Sequence, residues 1–75
     1  MSKLPDLSYR DVIKVLRKAG FEYDRNARGS HEIWYNNKTR KRTVIPHHSG
    51  SISKGTLRAI INQAGLTLEE FIKLL

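Results

Sequence analysis

Along this chain of 75 residues the apolar side chains change their spacing twice. Tyr9, Val12, Ile13 and Leu16 recur at i, i+3, i+4 and i+7, which is one face of an α-helix. From Phe21 the pattern alternates, with Phe21 and Tyr23 set against Glu22 and Asp24, as in a half-buried strand. Leu57, Ile60, Ile61 and Ala64 return to the helical period. Side chains repeat every 3.6 residues on a helix and every 2 on a strand, so one segment cannot satisfy both patterns. The chain must therefore run from helix to strands and back to helix.

Local signals set the boundaries. Ser8, with Asp11 three residues on, has the form of an N-cap, and Gly20 after Ala19 is a stop, which predicts a first helix over residues 8–19. Residues 1–7, broken by Pro5, read as a loose lead-in. A first strand covers Phe21 to Asp24, and Arg25 to Gly29 is a polar break. Ser30 to Tyr35 is rich in β-formers and makes a second strand. Asn36-Asn37 is turn chemistry, because asparagine tolerates positive φ. Thr39 to Ile45 returns as a third strand, which Pro46 closes for want of a donor N–H. Ser53 caps the next helix, Gly65 ends it, and Thr67 with Glu70 is a capping box for a last helix carrying Leu68, Phe71, Ile72 and Leu75.

Strands joined by short turns form an antiparallel meander, and two amphipathic helices are its natural cover. The expected fold is α+β, in the order α-β-β-β-α(-α). The helices lie on one face of a three-stranded antiparallel sheet, as in a double-stranded RNA-binding domain, and the other face is open. The pattern does not fix which face of the second strand is buried, since His31, Ile33 and Tyr35 alternate with Glu32 and Trp34. Trp34 is expected to be partly core and Glu32 to face solvent.

Charge narrows the partners. Residues 25–58 hold eight basic side chains and one acid, Glu32, while the rest of the chain is balanced at six of each, so the net +7 sits in one stretch. That distribution suits a polyanion. There is no cysteine, hence no disulfide framework and no thiolate metal site, and no apolar run long enough for a signal peptide or membrane span. A soluble cytoplasmic protein is expected, with no membrane partner.

The candidate chemical centre is Gly29-Ser30-His31. Histidine is the side chain most easily poised between acid and base near neutrality. Cleaving RNA without a metal needs a group to take the 2′-hydroxyl proton, one to protonate the departing 5′ oxygen, and cations for the phosphorane charge. His31 fits a proton role, and the glycine before it lets a phosphate come close. Arg28, Gly29 and Ser30 lie beside it as RNA contacts. Lys38, Arg40 and Arg42 share one parity of the third strand and would line one sheet face towards phosphates. Lys54 and Arg58, four apart at the start of the second helix, suit a phosphate at a helix N-terminus. His47 is the better of the adjacent pair His47-His48 as a second proton carrier, because it directly follows the strand. The three histidines lack the spacing of a zinc site, so no metal and no cofactor is expected.

Several pieces stand in a fixed order: Leu16-Arg17-Lys18-Ala19-Gly20-Phe21, Gly29-Ser30-His31, Val44-Ile45-Pro46-His47, Lys54-Gly55-Thr56-Leu57-Arg58 and Gln63-Ala64-Gly65-Leu66. Together they resemble the HicA toxin family. The resemblance implies one domain over residues 1–75 with the double-stranded RNA-binding fold. It implies a metal-independent endoribonuclease acting on mRNA, the toxin of a toxin–antitoxin pair neutralised by a HicB-type antitoxin. The family's catalytic histidine corresponds to His31. Many members follow it with a second histidine, where this chain has Glu32. Composition and fold suit an RNA-binding module without nuclease activity equally well, and a second alternative is an interaction module whose basic face serves an acidic protein.

Overall fold

A computed structural model describes residues 4–75. Its elements are β1 (Leu7–Ser8), α1 (Tyr9–Lys18), β2 (Phe21–Asn26), β3 (His31–Asn36), β4 (Arg42–Pro46), β5 (Ser51–Ile52), α2 (Lys54–Gln63) and α3 (Leu68–Lys73). Strands β2, β3 and β4 form an antiparallel sheet in that order. The helices cover one face, which is the expected α+β arrangement of the double-stranded RNA-binding type.

All three helix starts are where the capping chemistry puts them. Ser8 and Thr67 form reciprocal capping boxes with Asp11 and Glu70, and Ser53 accepts the Thr56 N–H. Each cap satisfies N–H groups that the first helical turn leaves unbonded. The buried stripe of α1 is Val12, Val15 and Leu16, with Tyr9 and Ile13 on its margin. The stripe is thus rotated by one position from the sequence expectation, because Val15 packs inward and Tyr9 uses its hydroxyl elsewhere. These residues meet Phe21, Trp34 and Ile45 from the sheet and Leu57, Ile60, Ile61, Ala64 and Phe71 from the later helices.

Strand register settles the ambiguous face. Glu32 pairs with Ile45 and Trp34 with Thr43, all four buried under the helices. His31 pairs with Pro46, Ile33 with Val44 and Tyr35 with Arg42, and these form the open face. Trp34 is fully buried at 1% exposure, more than the partial burial expected of it.

Three differences from the sequence expectation have local causes. The lead-in is not loose where it is described. Leu7 pairs with Ile52 in a two-residue ladder, and Leu4, Leu7 and Ile52 are buried. A strand of two residues carries too little periodicity to be read in a sequence. The third strand starts at Arg42 rather than Thr39. Asn36 is the reason: it is buried, its Oδ1 accepts the Lys38 and Thr39 N–H groups at 2.9 and 3.3 Å, and its Nδ2 donates to Ala19 O at 3.1 Å. The turn is therefore organised by the Asn36 side chain, and the positive φ falls on Arg40 at 62° rather than on an asparagine. Finally, β2 runs on to Asn26, with a bulge between Tyr23 and Arg25. Among the described residues no helix is long and apolar enough to cross a membrane.

Candidate functional site

His31 opens β3 and is exposed on the open face. The turn before it is closed by main-chain bonds, Ala27 N–H to His31 O at 2.8 Å and His31 N–H to Arg28 O at 3.2 Å. Gly29 sits in that turn at φ +60°, with open space where a Cβ would go. Glycine is thus favoured there for its backbone angle and not by any crowding. The His31 ring is held from the same turn, since Nδ1 lies 3.1 Å from Arg28 O. A carbonyl only accepts, so this contact calls for a hydrogen on Nδ1, and in the neutral ring that tautomer leaves the lone pair on Nε2.

Glu32 is the main correction to the sequence reading. It does not face solvent: it is only 9% exposed and lies on the helix side of the sheet. Its Oε1 accepts the Tyr9 hydroxyl at 2.6 Å and the Trp34 indole N–H at 3.0 Å. Its Oε2 is 3.0 Å from His47 Nδ1. The Tyr9 ring stacks on His47, with centroids 4.0 Å apart and planes 14° apart. Burial on its own raises the Glu32 pKa, but the hydrogen bonds from Tyr9 and Trp34 and the charge of His47 outweigh it and hold the carboxyl below its ordinary range. Burial, and then the hydrogen bond to that carboxylate, push the Tyr9 hydroxyl up to about 12. The site therefore holds an ionised carboxylate with a phenol that stays protonated.

His47 follows β4, and its N–H donates to Ser30 O at 2.7 Å. The two histidines thus share one end of the β3–β4 hairpin, with His31 on the open face and His47 on the face of Glu32. An open cleft of about 490 Å³ lies against His47, lined also by Tyr9, Arg10, His48, Ser49 and Gly50.

The basic residues do not gather around His31. Arg28 and Ser30 flank it in the preceding turn. Lys38 and Arg40 lie in the β3–β4 turn, not on a strand, so the shared parity expected of them with Arg42 does not hold. They stand at the far end of β3 from His31, six strand residues away, a span of roughly 17 Å at the usual rise. Of these three, Arg42 lies on the strand and on the open face, where its guanidinium is 4.9 Å from the Tyr35 ring centroid. Lys54 and Arg58 belong to the helix layer. Lys54 pairs with Asp6 at 2.9 Å, and Arg58 borders a separate cavity beside Leu4 and Asn62.

Sequence reasoning missed Tyr9 and Glu32 as partners of His47. Each carried a signal: Tyr9 is the polar member of an apolar helix stripe, and Glu32 is the lone acid in a basic stretch. Among the described residues no three histidine, cysteine or acidic side chains cluster as a metal-ligand set.

No curated protein sequence matches the chain. A family model does, over residues 9–66, from Tyr9 at the start of α1 to Leu66 after α2, and it is described as the HicA toxin of bacterial toxin–antitoxin systems. That span includes the whole sheet, both histidines that end the hairpin, and the buried carboxylate between them. The chain belongs to the HicA toxin family.

Proposed function

We propose that the protein is an endoribonuclease that cleaves mRNA without a metal, so inhibiting translation and growth, and that a HicB-type antitoxin neutralises it. The observation that carries this reading is the placement of His31: it is exposed at a sheet end, with Nδ1 held 3.1 Å from Arg28 O, so that the neutral ring offers Nε2. A free Nε2 lone pair is what a general base needs to take a 2′-hydroxyl proton. As the 2′ oxygen bonds to phosphorus and the P–O5′ bond breaks, the products carry a 2′,3′-cyclic phosphate and a 5′-hydroxyl.

The open face supports a matching path for the strand. From His31 it runs through Ile33 and Val44 to Tyr35 stacked under Arg42, and on to Lys38 and Arg40 in the turn. Apolar and aromatic side chains meet bases and cations meet phosphates, which gives affinity with little sequence choice. An acidic antitoxin surface would compete for the same charge. The cytoplasm, where mRNA is found, is the compartment this reading requires.

The test is incubation of the purified protein with RNA in excess EDTA, beside His31→Ala. Cleavage by the native protein that the variant lacks supports the reading. Full cleavage by His31→Ala removes His31 from the chemistry. Salt-sensitive RNA binding by both, with cleavage by neither, identifies an RNA-binding module instead.

A further inference from the structure

We infer that His47, oriented by Glu32 and Tyr9, is the group that protonates the leaving 5′ oxygen, and that the cleft beside it seats the nucleotide on the 5′-hydroxyl side of the cut. This rests on the ribonuclease reading and completes its chemistry, since a base alone leaves the departing alkoxide without a proton.

Three observations converge on His47. Its Nδ1 lies 3.0 Å from a carboxylate that is itself fixed by two hydrogen-bond donors, so turning the ring gives up a contact with a buried, anchored group. The Tyr9 ring stacked at 4.0 Å fixes the plane in the other direction. The side chain is nevertheless 57% exposed, so the edge carrying Nε2 meets solvent and the cleft. A buried carboxylate behind an imidazole is the arrangement that sets which nitrogen handles the proton. The groups facing the ring are Tyr9 and Arg10 from α1, Glu32 from β3 and His48 from the following loop. Arg10, at the cleft wall, supplies a cation for a phosphate.

Placement fits as well. His31 pairs with Pro46, and the His47 N–H bonds to Ser30 O, so the two imidazoles leave neighbouring backbone positions at one sheet end. A ribose-phosphate laid over that end meets His31 from the open face and His47 from the other. In the step, His31 Nε2 accepts the 2′-hydroxyl proton as the 2′ oxygen bonds to phosphorus. The P–O5′ bond breaks with its electron pair on O5′, and that oxygen takes the proton from His47 Nε2. Glu32 carries the compensating negative charge while His47 is the imidazolium. It is a positioning residue, because it acts through His47.

The test compares two RNA oligonucleotides with one cleavable linkage, at a site first mapped with the native protein. One has the ordinary 5′ oxygen. The other has sulfur in its place, a leaving group that departs without a proton. His47→Gln is expected to slow cleavage of the ordinary linkage by about 10²–10⁴-fold, the usual worth of general acid catalysis, and to cut the sulfur linkage at close to the native rate. Glu32→Gln should show a smaller loss in kcat that sulfur also repairs, which a purely structural role would not give. His31→Ala should stay slow on both substrates. An equal defect of His47→Gln on both linkages, or no defect on either, overturns the assignment while leaving the nuclease reading standing. Absence of cleavage by the native protein removes both.

Discussion

The β3–β4 hairpin is built differently at its two ends. At the histidine end, one buried carboxylate is contacted by three side chains drawn from a helix, the strand and the following loop, two of them hydrogen-bond donors and the third His47 at 3.0 Å. At the turn end, Lys38, Arg40 and Lys41 are exposed, and among the described residues none forms an ion pair. Reaction chemistry needs groups held to a fraction of an ångström, whereas attraction to a polyanion needs only charge at the right distance. The end with fixed partners is suited to the first task, and the end with free cations to the second.

The sharpest way to break this comparison is to change one end and look for the other's signature. His31→Ala is expected to lower kcat by about 10²–10⁴-fold while RNA affinity stays within a few-fold. The ring is exposed and its one hydrogen bond is to a loop carbonyl, so unfolding by urea should show little change in midpoint. A large loss of affinity in a binding titration would mean that the histidine end also does the holding.

Next in size is the stability stored in the carboxylate network. Glu32→Ala leaves the Tyr9 hydroxyl, the indole N–H of buried Trp34 and His47 Nδ1 without their acceptor, which should cost about 2–4 kcal/mol in urea unfolding. The pH dependence has a definite sign. The unfolded chain releases the Glu32 proton near the ordinary value of 4.5, and the folded chain does so only at lower pH. The contribution is therefore full above that value and is lost as pH falls through the folded pKa. Tyr9 acts at the other extreme. Raised from 10.0 to about 12, it stabilises fully below pH 10 and loses its contribution as pH rises towards 12. Tyr9→Phe should remove that alkaline slope, and an unchanged slope would show that the phenol does not hold the carboxylate.

This network also marks where the sequence stopped being legible. The helix starts at Ser8, Ser53 and Thr67 could be read because a cap is a local contract between residues three apart. The strand order could be read because turns punctuate it. His31 stood out through its own neighbours, Gly29 and Ser30. The Tyr9–Glu32–His47 assembly joins residues 23 and 15 positions apart, and no local pattern records such a distance. Lys38 and Arg40 were misplaced for a related reason. Parity arguments assume that a strand has begun, and a buried Asn36 side chain delays it to Arg42.

A smaller effect belongs to the turn end. Replacing Lys38, Arg40 and Arg42 together by alanine should weaken RNA binding by about tenfold at moderate salt. The slope of log K against log salt should flatten by about 0.7 for each single-strand phosphate that no longer meets a cation. The rate of cleavage at saturating RNA should hold. If kcat falls instead, the turn end takes part in positioning, and the division between the two ends fails.

The smallest expected effect tests the turn that presents His31. Gly29 is at φ +60°, a region in which an L side chain brings its Cβ against its own backbone, and nothing else lies within 4 Å of the place that Cβ would take. Gly29→Ala should therefore cost about 1 kcal/mol from backbone strain alone, and Gly29→Asn less, because asparagine tolerates this conformation better. Both variants keep the open space in front of His31. If the turn holds its shape, cleavage should fall only in step with stability, and the two substitutions should rank alike in both measurements. A much larger drop in kcat than in stability for Gly29→Ala, with native-like kcat for Gly29→Asn, would show that the Arg28 carbonyl has moved and released the imidazole. That result would extend the demand for fixed geometry from the buried carboxylate to the exposed loop, and make both sides of the histidine end equally exacting.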